Sequence, residues 1–198
     1  MLSVLNAVEG IIVTTVDSPV VGGIAPALRR LYFVRFGFAI VWAVLLFVTS
    51  KSAVGPIGVA LVVLYPLFDV GAAVVDSRSS RATEASRGLY VNMAISLLAA
   101  IGLGVAAASG VPSVLRVWGV WAIVAGLIQL IVAVTRRKLG GQWPMILSGG
   151  ISVLAGANFI IGAGAPNLAL TTVAGYAVLG GIFFLVSAIR LGRAGQVR

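Results

Sequence analysis

The chain has no cysteine and no histidine, and only ten per cent of its 198 residues are charged. Without thiols or imidazoles it can form neither disulfides nor the usual zinc, iron and haem ligand sets. Acids are scarcer still, at five against fourteen Lys and Arg, giving a formal charge of +9. In a soluble protein that imbalance would suggest a nucleic-acid partner. Here almost all the bases fall at the ends of apolar runs, where they orient a membrane protein, and a nucleic-acid role is set aside. No H-E-x-x-H, G-x-S-x-G or G-x-x-x-x-G-K-[ST] arrangement is found, so no catalytic, cofactor or metal residues are assigned.

Apolar sequence dominates what remains. Sixty per cent of the residues are hydrophobic, above the roughly 45 to 50 per cent of a soluble domain. A spanning helix needs about 20 apolar residues. Gly88 to Leu115 and Val117 to Thr135 carry no charge, and neither does Leu139 to Ile189, long enough for two spans and a turn. Breaks at Gly55-Pro56, Val111-Pro112 and Ala165-Pro166 fit helix starts, where proline's missing N–H costs nothing. The expected fold is all-α, with six spans as three sequential hairpins: Leu31–Thr49, Val54–Val75, Leu89–Ser109, Val114–Thr135, Trp143–Ile161 and Leu168–Ile189. Three regions follow: an N-terminal cytoplasmic or interfacial segment 1–30, a transmembrane domain 31–190 and a short basic tail 191–198. The first segment lacks the basic n-region of a signal peptide. Leu5, Val8 and Ile12 share one face there, which suits a short interfacial helix or a tail.

This arrangement places Arg29, Arg30, Arg35, Arg78, Arg81, Arg87, Arg136, Arg137, Lys138, Arg190, Arg193 and Arg198 on one side and only Lys51 and Arg116 on the other. The positive-inside rule then predicts cytoplasmic termini. The hairpins read as repeats. Pro56, Pro112 and Pro166 lie 56 and 54 residues apart, and Tyr65, Trp121 and Tyr176 follow them by 9, 9 and 10 residues. Tyr32, Tyr90 and Trp143 occupy the matching cytoplasmic ends. Small residues four apart, namely Ser148, Ser152 and Gly156, Ala122 and Gly126, and Ala177 and Gly181, suit close helix packing within the chain, or less directly a homo-oligomer.

Charges inside a span are costly, roughly 2.5 to 3.5 kcal/mol at mid-helix. Arg35 and Asp69 fall at similar depths, and Tyr65 shares a helix face with Asp69 four residues on. The three form a candidate intramembrane polar cluster, read first as an ion pair that fixes the first two helices and second as a site for handling a proton or solute. The positions equivalent to Asp69 are Ala125 and Gly180, so the carboxylate belongs to one repeat only. Asn92, Ser96, Gln129, Asn158 and Ser187 are expected to hydrogen-bond between helices. The stretch Asp76 to Arg81 reads as a solvated connection.

The third hairpin, with Gln142-Trp143-Pro144-Met145-Ile146-Leu147-Ser148-Gly149-Gly150, then Gly175-Tyr176, Gly180-Gly181-Ile182 and Ser187-Ala188-Ile189-Arg190, resembles the HdeD-like membrane proteins, the DUF308 family of small bacterial six-span proteins. Gly126-Leu127-Ile128 repeats the theme in the second hairpin. The resemblance implies a bacterial inner-membrane protein of acid or envelope stress tolerance, while the missing catalytic set, the short loops and the apolar body argue for a non-enzymatic protein without cofactor. Its partners would be the lipid bilayer and a larger membrane complex or further copies of itself. The alternative is a proton or small-solute conduit using Asp69 and Arg35.

Overall fold

The computed structural model describes residues 20–49, 55–80, 85–165 and 169–194. They are helical throughout, with no strand among them: α1 Val20–Thr49, α2 Pro56–Ser79, α3 Ala85–Ala107, α4 Val111–Thr135, α5 Trp143–Gly162 and α6 Thr171–Ala194, with a single 3₁₀ turn at Arg137–Leu139. Six of these helices are long and apolar enough to cross a membrane. The chain is therefore an all-α, multi-pass protein.

Helix ends follow the chemistry of the breaks. Pro56, Pro112 and Pro144 each stand in the first turn of a helix, where no N–H bond is lost. Gly110 precedes α4 at φ 87°, and Gly140 and Gly141 carry the chain from α4 into α5 at φ 77° and 64°, a region that side chains with a β-carbon avoid. Helix α1 starts at Val20, well before Leu31, and α6 continues to Ala194 past Ile189. Pro166, Lys51, Arg81, Arg198 and the stretch holding Leu5, Val8 and Ile12 lie outside the described residues.

Each helix packs antiparallel on the next, and α6 packs on α1 to close a ring. The direction is visible in paired positions: Gly119 meets Gly156 while Gly126 meets Gly149, and Ala39 meets Gly181 while Arg29 meets Gly192. The closest packing is α4 on α5, α6 on α1 and α2 on α3, while the two helices of each hairpin touch less. These three seams are equivalent under the threefold repeat, since each joins the second helix of one hairpin to the first helix of the next. Small residues account for the tightest of them. A β-carbon added at Gly156 would stand 2.5 Å from the Gly119 carbonyl oxygen, and one at Gly126 would stand 2.7 Å from the Ser152 β-carbon. Backbones that close gain dispersion contacts which lipid cannot offer to separated helices.

The outer surface is apolar, with Leu154, Val105 and Ile161 at 72, 71 and 84 % exposure. A water-soluble protein could not show this much of its large aliphatic content, whereas a bilayer accepts it. Inside, one group of buried residues gathers Trp42, Leu46, Val62, Leu115, Trp118 and Phe159 toward the proline-marked end. A second gathers Leu28, Tyr32, Ala133, Met145 and Leu191 toward the end that carries the bases.

Candidate functional site

Between those two apolar groups lies a cavity of about 120 Å³ lined by side chains from all six helices. Its walls follow the repeat. Tyr65, Trp121 and Tyr176 all line it, and so do Asp69, Ala125 and Gly180. The three hairpins thus present equivalent positions to one central space, and Ala and Gly at two of the three second positions leave that space unfilled.

Both carboxylate oxygens of Asp69 are engaged. Arg35 Nη2 donates to its Oδ1 at 2.6 Å, while Asn92 Nδ2 and Ser96 Oγ donate to its Oδ2 at 2.5 and 2.8 Å. Trp121 Nε1 in turn donates to Ser96 Oγ at 3.0 Å. One carboxylate thereby ties α1, α2, α3 and α4 together. Opposite the ion pair, the Arg35 guanidinium sits 5.0 Å from the Phe184 ring centre, a cation–π contact with α6. The expected Arg35–Asp69 pair is present. Tyr65 lines the same cavity one turn away, but no hydrogen bond joins it to either partner among the described residues. Its ring instead packs edge-on against Phe38, Trp42, Trp118 and Trp121. Trp42 and Trp118 stack at 5.5 Å and fill the interior on the proline-marked side. Trp42 Nε1 donates to the Leu61 carbonyl at 2.7 Å, in the turn that Pro66 interrupts.

A second buried pair corrects the reading of Asp76 to Arg81 as a solvated connection. Helix α2 runs one turn past Val75, and this carries Asp76 onto the face of Asp69, seven residues or two turns away. Asp76, Ser77 and Ser80 are buried. Arg136 grips Asp76 with both terminal nitrogens, Nη1 to Oδ2 at 2.8 Å and Nη2 to Oδ1 at 2.7 Å, and also donates to Ser80 Oγ at 2.7 Å. Ser80 Oγ completes the triangle to Asp76 Oδ1 at 3.1 Å. Burial by itself would make the Arg136 guanidinium less basic, but the hydrogen bonds and charge of Asp76 outweigh it and raise its pKa. The spacing of seven between the two acids, together with the first base after α4, was the available sequence signal.

The remaining polar residues behave mostly as expected. Gln129 donates to the Met145 carbonyl at 3.1 Å, and Ser187 bonds the Gly141 carbonyl. Tyr32 donates to Gln142 Oε1 at 3.3 Å, and Tyr176 donates to Ser152 Oγ at 2.8 Å. Asn158 is exposed and makes no side-chain hydrogen bond among the described residues. No group of three or more metal-binding side chains occurs among the described residues. Comparison with protein-family models, with curated proteins and with solved structures finds no match.

Proposed function

We propose that the chain is an HdeD-like protein of the bacterial cytoplasmic membrane, with both termini in the cytoplasm, that serves acid or envelope stress tolerance without catalysing a covalent reaction. It would act by itself or as an accessory subunit of a larger membrane assembly. The observation that carries the non-enzymatic reading is the engagement of both intramembrane carboxylates. Asp69 and Asp76 each accept three hydrogen bonds, one partner in each case being an arginine. A general base or nucleophile needs a lone pair aimed at substrate, and three of the roughly four acceptor sites of each carboxylate are taken by residues of the bundle itself. The asymmetry of the bases supports the orientation. Deleting the gene should reduce survival of an acid challenge, with wild type restoring it; unchanged survival overturns the stress role. Purification in mild detergent tests the accessory role, which requires a stoichiometric partner.

A conduit is the second reading, favoured by the cavity that all six helices line around Arg35 and Asp69. The stacked Trp42 and Trp118 weigh against an open path. Proteoliposomes under an imposed pH or solute gradient decide it: a conduit gives flux that Asp69→Asn removes, and flux no greater than in empty liposomes ends the idea.

A further inference from the structure

The cavity is larger than its hydrogen bonding consumes. A cavity of about 150 Å³ holds one benzene molecule and a single water needs only about 10 to 15 Å³. The space of about 120 Å³ here therefore accepts several waters or one organic molecule of about five heavy atoms. Its walls also carry unused polar capacity. A guanidinium has five N–H donors, and Arg35 commits one nitrogen, Nη2, to Asp69. The Tyr65 hydroxyl makes no hydrogen bond to a described residue. Gln129 uses its amide nitrogen on Met145 and Asn92 uses its own on Asp69, so the carbonyl oxygen of each side chain is left as an acceptor. Donors and acceptors thus face one space. Two arginines and two aspartates line it together, so its formal charge cancels. An entering ion would meet a like charge beside every opposite one. The aromatic side chains of Tyr65, Trp121 and Phe184 complete the walls.

We propose that this cavity binds one small uncharged planar molecule that carries a carbonyl acceptor beside an N–H donor, the class of short carboxamides and urea. Arg35 and Tyr65 donate to the carbonyl, and Gln129 or Asn92 accepts from the N–H. The vacancy at Ala125 and Gly180, where the first repeat has Asp69, supplies the volume. The proposal rests on the cavity alone and stands whether or not the stress role does.

The test uses the full chain in detergent micelles with acetamide and urea as probes and acetate as the charged counterpart, read by saturation-transfer NMR and by melting temperature. Both neutral probes should bind saturably in the millimolar range, as so few atoms allow, and acetate should not compete. Tyr65→Phe should weaken binding about three- to tenfold through one lost hydrogen bond. Gly180→Leu should abolish it. A β-carbon at Gly180 meets nothing within 4 Å, so this variant should fold, and Ala125→Leu fills the same space should it not. Absence of saturation, unchanged binding in the filled variants, or equal competition by acetate each overturns the assignment; the first of these leaves a cavity that holds water only.

Discussion

Two arginines and two aspartates are the costly residues of this bundle, and each pair is expected to matter through what is left behind when one partner goes. Removing one partner of a buried pair typically destabilises by about 3 to 5 kcal/mol, because the other charge stays in a low-dielectric setting, and the part-buried Arg35–Asp69 pair belongs below the buried Arg136–Asp76 pair. Asp69→Asn and Arg35→Gln should each lower the melting temperature in detergent. The double variant should lose less than the sum of the two; additive losses would contradict the 2.6 Å contact. At the second pair, Arg136→Lys should behave nearly as badly as Arg136→Gln. Two parallel bonds to Asp76 and a third to Ser80 need the guanidinium fork, which an ammonium cannot reproduce. Full stability of the lysine variant would show that charge alone suffices. The first pair was legible because opposite charges inside apolar runs must find each other. The second was not, because Asp76 lies among Ser and Arg residues that look like a loop, and only the extra turn of α2 takes it inside.

At the scale of helices, Pro56 and Pro112 made two of the breaks readable and the termini came out within about three residues, except at the starts of α1 and α3 and the ends of α2 and α6. Helix continues there through charged and polar residues such as Arg29, Arg30, Arg78, Arg87 and Arg193, so the apolar run marks the spanning part and not the helix end. The small-residue spacing was also legible, and Gly126, Gly156 and Gly181 all lie at contacts within the chain. Which seam each serves was not, since that depends on ring closure. Glycines on the same helix should therefore differ sharply. Gly156→Ala would force a β-carbon to 2.5 Å from the Gly119 carbonyl oxygen, and should lower the melting temperature by several degrees. Gly150→Ala meets nothing within 4 Å and should be neutral or stabilising by up to about 1 kcal/mol through helix propensity. Equal behaviour of the two would mean that α4 and α5 are not in contact as described. Thermal denaturation of both variants in one detergent is sufficient.

For the molecule as a whole, six spans and three repeats were legible, but the cavity was not. It arises from residues that are too small, Ala125 and Gly180, meeting around an axis that the sequence does not draw. The topology has a direct test. An accessible-cysteine scan in the cysteine-free chain should place Ser52, Ser113 and Asn167 outside and the exposed positions Arg78 and Arg137, near Ser80 and Gly140, inside. Because alternate helices run in opposite directions, reversal of a single site breaks the scheme. The placement of charge on α2 also has a consequence for biogenesis. Asp69 finds Arg35 on the helix that precedes it, whereas the arginine for Asp76 lies 60 residues further along the chain. While the protein is being made, α2 must enter the membrane before α4 exists, with one carboxylate matched and the other still waiting. A nascent chain halted after α3 would carry that acid without its arginine. The same chain extended through Arg136 would not.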